Sequence, residues 1–247
     1  AGSADKAGEL MNSRAKMLGM NGTVYTDCTG MGEGNVTTAK DTALLCSELA
    51  KYKNLTPYLT CWLDTVRDGK AELVNLNRLV RTYKGVTGMK AWGSEKAGSC
   101  IAATAEKGDM SVCVVLNGCD SQEDMNAEAK KLLNLAFDTY EIYTPELPED
   151  MVKETVVCGG EELSVKLAPE GLYPIVIPRG TYRMVECDFT AEEKLDAPVK
   201  NGETAGEIRY TMGGEVILEG KIVACKEVKK MNFICGIKKL VYNLLSM

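Results

Sequence analysis

Residues 85–100 read GVTGMKAWGSEKAGSC, in which a short apolar run ends at Lys90 and is followed by Ala91 and Trp92. A lysine on a strand can supply positive charge to an anionic reaction centre, and its neighbours set how closely a ligand approaches the backbone. A second stretch, Ser13-Arg14-Ala15-Lys16, places a hydroxyl and an amine three residues apart, on one side of a helix. A serine beside a base is a common nucleophile. Both stretches are therefore candidates for chemistry.

The composition excludes several other kinds of catalytic site. The chain has no histidine, so it cannot by itself build a Ser-His-Asp site, a Cys-His site or a zinc site with histidine ligands. Its 10 cysteines contain no C-x-x-C pair, and we expect most of them to be small buried apolar residues, as for Cys100 and Cys113 in strand-like runs. The sequence predicts no catalytic cysteine, no metal and no cofactor.

Charge and hydropathy limit the partners. The formal net charge of −6 gives no general reason to expect nucleic acid as a partner. No apolar run reaches about 18 residues, the length that a membrane-spanning helix needs, so no such helix is predicted. A chain that is 45% hydrophobic and 26% charged is typical of soluble globular proteins.

Apolar spacing predicts the elements that position Lys90. Helices are predicted at Asp5–Leu18, Thr38–Tyr52 and Glu123–Tyr140. The Asp68-Gly69 pair predicts a hairpin within residues 60–77. Strands are predicted at Val86–Lys90, Cys100–Glu106 and Met110–Leu116, the last two joined by a tight turn. Lys90 therefore lies on an antiparallel sheet between helices, which is an α+β domain.

Composition changes after Tyr140, where residues 144–150, TPELPED, indicate a linker. Beyond it, short β-branched runs alternate with turns: Lys153–Val157, Leu163–Leu167, Tyr173–Ile177, Arg183–Cys187, Glu207–Tyr210 and Glu215–Val223. We predict three segments, namely an α+β domain at 1–140, a small all-β domain at 141–228 and a C-terminal amphipathic helix at 229–247.

The tail from Lys229 to Met247 has one apolar helical face, formed by Phe233, Ile234, Ile237, Leu240, Val241, Leu244 and Leu245. Its polar face carries Asn232, Lys238, Lys239 and Asn243. This pattern predicts a helix that lies on an anionic membrane surface, held by the apolar residues and by Lys238 and Lys239. The alternative is a helix packed on the β domain.

Several stretches in this order resemble the serine-type D-alanyl-D-alanine carboxypeptidases, the low-molecular-weight penicillin-binding proteins. They are LMNSRAKMLGM, DTALLCSELAKY, RDGKAELVNLNRLVRTYKGVTGMK, KAGSCIAATAEKGDMSVCVVLNG and AEAKKLLNLAFDTY, with DAPVKNGETAGEI in the β domain. The resemblance implies part of a penicillin-binding, β-lactamase-like transpeptidase domain, followed by the family's small β domain and membrane anchor.

The resemblance also implies a reaction. A serine attacks the D-Ala-D-Ala bond of a peptidoglycan stem peptide, D-alanine leaves, and water releases the shortened peptide. The family places the serine and its base in S-x-x-K, further polar groups in S-x-N, and a lysine, a hydroxyl and a close-approach glycine in K-T-G on a strand beside the pocket.

The chain departs from this pattern at its start and in the third motif. Its first residues correspond to the stretch just after S-x-N, so Ser13–Lys16 is expected to be an exposed pair on a downstream helix rather than the nucleophile motif. Lys90 matches the third motif and is the candidate catalytic residue, whereas Ala91 stands in place of threonine and Trp92 in place of glycine. These changes remove a hydroxyl donor and add bulk where substrate lies.

Three further positions complete the predicted substrate-binding set with Ala91 and Trp92. Gly93 offers the backbone N–H that would complete an oxyanion hole, and Ser94 follows it. In an alternative register, a one-residue insertion makes Gly93-Ser94 the continuation of the motif and displaces Lys90. Met125 stands where the family commonly carries an arginine for the substrate carboxylate.

Three functions remain open at this point. The first is a piece of a D,D-carboxypeptidase homologue of peptidoglycan maturation, inactive as this chain, on the outer face of the cytoplasmic membrane. The second is a non-catalytic protein that binds the cell wall or acts as a scaffold. The third is an unrelated soluble α+β protein with a small-molecule function. Without the family's preceding strands, we expect exposed apolar surface and poor solubility.

Overall fold

The computed structural model of the protein describes residues 2–30 and 34–233. The chain folds into two compact units, Ala1–Tyr140 and Glu141–Met247. The first unit mixes helices with an antiparallel sheet and the second is built from strands, so the α+β class is confirmed. Within the described ranges, no helix is long and apolar enough to cross a membrane.

The first unit contains three longer helices, two short helices and an antiparallel sheet. The longer helices are α1 (Ala4–Met17), α2 (Ala39–Leu49) and α5 (Gln122–Thr139), and the short ones are α3 (Thr56–Leu59) and α4 (Leu79–Thr82). The strands are β1 (Leu63–Val66), β2 (Ala71–Val74), β3 (Val86–Ser94), β4 (Gly98–Lys107) and β5 (Met110–Cys119). Strands β3, β4 and β5 form an antiparallel sheet in that order, and β1 pairs with β2 as a separate hairpin.

Capping residues explain where the longer helices begin. Ser3, Thr38 and Ser121 precede α1, α2 and α5, and each side chain accepts a hydrogen bond from a backbone N–H of the first turn, at 3.0–3.2 Å. Gly19 has a positive φ of 77° just after α1. The three predicted helices are confirmed, with bounds that differ by a few residues.

Strand β4 forms the centre of this unit. Its residues 100–105 are buried without the alternation of a one-sided strand, so both faces of the sheet are covered. Helices α2 and α5 pack on β4 and β5. Helix α5 contributes Met125, Ala129, Leu133 and Phe137, four residues apart and all buried, which form one continuous stripe along the helix. The predicted strand order along the chain is confirmed.

The hairpin predicted from Asp68-Gly69 is also confirmed. Leu63 pairs with Val74 and Val66 with Ala71, and the turn between the strands keeps Arg67, Asp68 and Gly69 at positive φ. Glycine adopts that conformation without a Cβ clash, and aspartate tolerates it better than most residues.

In the second unit, short strands build a six-stranded sheet. The strands are β6 (Tyr140–Tyr143), β7 (Glu154–Cys158), β8 (Ser164–Glu170), β9 (Ile175–Pro178), β10 (Val185–Ala191), β11 (Lys194–Asp196), β12 (Thr204–Met212) and β13 (Glu215–Ala224). The sheet order is β10-β12-β13-β8-β7-β11, and β6 pairs with β9 apart from it. Val165, Ile208 and Tyr210 lie fully buried in one apolar core, where the Tyr210 hydroxyl donates to the Glu146 carbonyl at 2.9 Å.

Three details of the second unit differ from the sequence-based expectations. Strands β6 and β11 were missed, because one follows α5 directly and the other has only three residues, too few for a pattern of alternation. The predicted tail helix is wrong at its first residues, since Lys230 forms a β-bridge with Gly160 and the Met231 N–H bonds the Gly159 carbonyl. The rest of that helix, residues 234–247, lies outside the described residues.

Asp41 holds α2 to the segment that follows α1. The side chain is 5% exposed, and its Oδ2 accepts hydrogen bonds from the Thr23 hydroxyl at 2.7 Å and the Gly22 N–H at 2.8 Å. The Thr23 hydrogen bond is the main cause that lowers the pKa of Asp41, and the bonds from Gly22 and Thr38 add to it against the opposing effect of burial.

We expect Asp41→Asn to lower the free energy of unfolding at neutral pH. Because the folded-state pKa of Asp41 is lowered, its stabilisation is present above the unfolded value of about 3.9 and is lost as pH falls through the lower, folded value. Urea unfolding of both proteins across this range should show the stability gap closing in acid. Asp5→Asn, at an exposed first-turn position of α1, is the matched control. A difference in unfolding free energy between wild type and Asp41→Asn that does not change with pH would contradict the expectation.

Candidate active site

Lys90 lies on β3, which forms one edge of the three-stranded sheet. Its side chain is exposed, and its cross-strand partner is Ala102 of β4. On the same strand, Ala91 faces Ile101 and Trp92 faces Cys100. In the described part of the chain no strand pairs with the outer edge of β3, and Lys90 lies on this edge strand.

The two faces of β3 differ in chemistry. Because side chains alternate along a strand, Lys90 and Trp92 lie on one face and Ala91 on the other. Trp92 is half-buried and packs against the apolar cluster of Cys46, Met89 and Ala102, whereas Ala91 is 4% exposed. A ligand that reaches Lys90 therefore meets the Trp92 indole on the same face and finds no hydroxyl at position 91.

The turn after β3 fixes Gly93 and Ser94. A Cβ on Gly93 would lie 2.8 Å from the Gly98 carbonyl oxygen, too close for any other residue without backbone movement. Ser94 Oγ accepts a hydrogen bond from the Ala97 N–H at 3.0 Å, so the hydroxyl oxygen holds the turn. Both residues are exposed at the end of the sheet, and their roles toward a substrate stay predictions.

A buried side-chain amide is hydrogen-bonded to the backbone of β3. The sequence analysis did not predict this interaction. Asn77 is fully buried, its Nδ2 donates to the Gly88 carbonyl at 3.3 Å, and its Oδ1 accepts from the Leu79 N–H at 3.1 Å. Asn75 extends the network, since it accepts from the Asn77 N–H and donates to the carbonyls of residues 59 and 61. The signal in the sequence was two asparagines among apolar residues in LVNLNRLV.

The Ser13–Lys16 match lies on α1, and both end residues are exposed, as expected. Between them Ala15 is buried and Arg14 forms an ion pair with Glu48 at 2.6 Å. This stretch is an ordinary solvent-facing side of a helix, because nothing encloses the hydroxyl and the amine.

Met125 does not face a ligand surface. It lies inside α5 and is 1% exposed, so its thioether packs in the core of the first unit. The interpretation that this position replaces a carboxylate-binding arginine stays a prediction. Across residues 2–30 and 34–233, no group of three or more His, Cys, Asp or Glu side chains could hold a metal ion.

Of the predicted membrane-contacting residues, the structure describes Phe233, whose side chain is 83% exposed. The others, Ile234, Ile237, Lys238, Lys239, Leu240, Val241, Leu244 and Leu245, lie outside the described residues. Membrane contact by the tail stays a prediction.

Comparison with known proteins agrees with this architecture unit by unit. Residues 1–120 match the D-alanyl-D-alanine carboxypeptidase family, and residues 137–230 match the C-terminal domain of penicillin-binding protein 5. The chain is 30% identical over 244 residues to D-alanyl-D-alanine carboxypeptidase DacF of Bacillus subtilis, covering 97% of this chain and 63% of that protein. It is 29% identical to DacC of Escherichia coli, covering 94% and 59%.

Solved structures share the fold. Penicillin-binding protein 5 from Haemophilus influenzae superposes with a TM-score of 0.78 at 23% identity, covering 93% of this chain and 68% of that one. The carboxypeptidase DacD from Francisella tularensis superposes with a TM-score of 0.66 at 22% identity, covering 93% and 70%.

The two family matches, with which the fold agrees, thus identify a protein of the penicillin-binding class. Within that class, the chain belongs to the D-alanyl-D-alanine carboxypeptidase family. It spans less than two thirds of the length of the curated relatives compared above.

We expect Asn77→Ala to destabilise the first unit by about 1–3 kcal/mol, because the Gly88 carbonyl and the Leu79 N–H would remain buried without their partner. Urea unfolding measures the loss. Asn54→Ala, at an exposed asparagine in the same unit, should change stability far less. Equal effects of the two substitutions would show that the buried amide does not support β3.

Proposed function

We propose that the protein acts on peptidoglycan as a homologue of the D-Ala-D-Ala carboxypeptidases, and that this chain does not itself complete acyl transfer. One observation supports the proposal. The exposed Lys90 and the half-buried Trp92 lie on the same face of an edge strand, and the side chain of Ala91 is buried in the core on the other face. The partner is the stem peptide of peptidoglycan, and no nucleic acid is involved.

The family reaction explains the value of such an edge. An extended peptide can pair its backbone with the free side of β3, and Lys90 then adds positive charge beside the carbonyl that is attacked. The Gly93 N–H, at the exposed end of the strand, is the group that the family resemblance assigns to a developing oxyanion. These groups favour binding of a stem peptide without supplying a nucleophile.

The two changed positions weaken this arrangement in different ways. Ala91 has no hydroxyl of the kind that the family motif offers to the substrate carboxylate, and its side chain is buried on the face opposite Lys90. Trp92 places an indole where glycine would let substrate lie against the backbone. Both effects lower affinity in the ground state and in the transition state.

We also propose an extracytoplasmic location, with the protein attached peripherally to the outer face of the cytoplasmic membrane by the tail from Phe233 to Leu245. The support is the amphipathic pattern of this tail and the exposed Phe233 at its start. Co-sedimentation with anionic lipid vesicles, reduced in a Lys238→Glu/Lys239→Glu variant, would support the attachment, and equal recovery of both proteins would refute it.

The binding edge can be tested with a peptide that ends in D-Ala-D-Ala. We expect Trp92→Gly to bind it more tightly than the wild type, because a glycine lets the peptide lie against the backbone of β3 beside Lys90. Calorimetry measures the affinity, and adding Lys90→Ala to Trp92→Gly should cancel the gain. Trp62→Gly, at the chain's other tryptophan, is the matched control.

A β-lactam gives the companion measurement. We expect the intact mass of the wild-type chain to stay unchanged after incubation with benzylpenicillin, because no described serine is enclosed beside Lys90. A mass increase of one drug molecule would overturn the claim that the chain is inactive. No change in peptide affinity in the Trp92→Gly variant would overturn the assignment of the binding edge.

A second function is a non-catalytic protein that binds the cell wall or acts as a scaffold. The substitutions at Ala91 and Trp92 favour it, because an enzyme under selection for acyl transfer keeps its hydroxyl and its glycine. In this case the wild-type chain should be recovered with purified peptidoglycan sacculi, and Lys90→Ala should reduce recovery while the exposed control Lys70→Ala does not. Failure to recover the wild type would count against this function.

A further inference from the structure

The β1–β2 hairpin is an apolar ribbon with little cover. It forms a separate two-stranded sheet, and neither of its strands packs extensively on another described element. Its large apolar side chains, which are 36–56% exposed, are Leu63, Val66, Leu73 and Val74. An isolated two-stranded hairpin is only marginally stable in water, and exposed apolar strands favour association with another strand. The hairpin is therefore a candidate interaction surface.

The outer edge of β2 offers unpaired backbone groups. The Asn75 N–H bonds the Trp62 carbonyl at 2.9 Å, so these two residues form a hydrogen-bonded pair across the hairpin. Because such pairs alternate along antiparallel strands, Ala71 and Leu73 also direct their backbone groups toward β1. The N–H and the carbonyl of Glu72 then point outward, where no described strand pairs with β2. A further strand can add to this edge.

Two opposite charges lie beside this edge. Lys70 and Glu72 are both exposed, and their spacing of two residues places them on the same face of the ribbon. Neither has an ion-pair partner in the part of the chain that the structure describes. The Lys70 N–H bonds the Arg67 carbonyl at 3.2 Å within the turn, whereas the alternation of the ladder directs the Lys70 carbonyl outward.

We propose that two copies of this chain pair through β2 and form an antiparallel four-stranded sheet, with a two-fold axis at Ala71. In this register Ala71 faces its own copy, and Lys70 of each chain lies opposite Glu72 of the other. The Glu72 N–H of each chain donates to the Lys70 carbonyl of the other. This inference does not depend on the proposed function, because it rests on the hairpin alone.

Charge selects this register over its neighbours. A two-fold axis perpendicular to the sheet keeps each side chain on its own face, so the axis passes between two copies of one residue. An axis at Glu72 places two carboxylates opposite each other, and an axis at Leu73 places Lys70 opposite Leu76. Like charges opposite each other are destabilising, and opposite charges are favourable. Only the axis at Ala71 is surrounded by four charges of alternating sign.

The other face of the paired ribbons adds apolar contact. Val66 lies across the hairpin from Ala71, so the four-stranded sheet carries one row of two valines and two alanines. A second copy fits this surface, whereas an anionic membrane is repelled by the carboxylates of Asp64, Asp68 and Glu72. An interface built from two short strands is small, so we expect the dimer to be weak and reversible.

The experiment is sedimentation equilibrium of the full chain from micromolar to millimolar concentration. We expect the wild type to shift from the mass of one chain toward that of two. Lys70→Glu and Glu72→Lys should each raise the dimer dissociation constant at least about tenfold, because like charges then lie opposite each other on both sides of the axis. Mixing the two variants should restore a dimer with one chain of each, since every opposite pair is then complementary.

Lys130→Glu and Glu9→Lys, at exposed positions of α5 and α1, make the same charge changes elsewhere and are the matched controls. Neither should change the association of the wild type. A wild type that remains a single chain at every concentration would overturn the proposal. Association that is insensitive to both hairpin variants would also overturn it, because another surface would then join the copies.

The mixture tests the proposal even where one variant folds poorly. Recovery of a mixed dimer shows that both variants are folded and that residues 70 and 72 of the two chains lie opposite each other. Two folded variants that form no mixed dimer would contradict the proposed register. Near-ultraviolet circular dichroism of each variant alone, compared with the wild type, establishes whether the variants are folded.

Discussion

The buried amide of Asn77 is the interaction on which the shape of the site strand depends. It lies where the chain leaves the β1–β2 hairpin and enters α4, and it bonds both the start of that helix and the Gly88 carbonyl two residues before Lys90. A polar group with no exposure is stabilising only when its partners are in place. The amide thus couples three segments, and the position of Lys90 follows from this coupling.

Strand β3 also shows how one substitution can act on a surface and on a core at once. Trp92 occupies part of the face that a ligand would approach, yet its ring packs on the cluster beneath α2. A glycine there would open the surface and leave the cluster less filled. At position 92, the larger side chain improves packing and narrows the space for a ligand. On the opposite face, Ala91 is a small apolar residue where the family motif has a hydroxyl.

The sequence predicted the local elements well, because their signals are local. Thr38 is a capping residue that bonds within its own helix, and Asp68-Gly69 is a turn whose conformation depends on two residues. Lys90 was placed on its strand by the apolar run before it. The sequence carried a signal for the buried Asn77, but its bond to Gly88 was not predictable, because the fold of the intervening helix brings the two residues together. The burial of Met125 was equally hidden, since a helix register alone does not say which stripe meets a sheet.

The six-stranded sheet of the second unit has one further consequence, which follows from its two edges. At one edge β11 has only three residues, and exposed Lys194 and Asp196 flank the buried Leu195. At the other edge, the exposed side chains of β10 include Glu186 and Asp188. A strand from another molecule could form few backbone hydrogen bonds with the short β11, and at β10 it would approach the negative charges of Glu186 and Asp188. The unit is thereby protected against edge-to-edge aggregation in a crowded solution, although strands make up most of its structure.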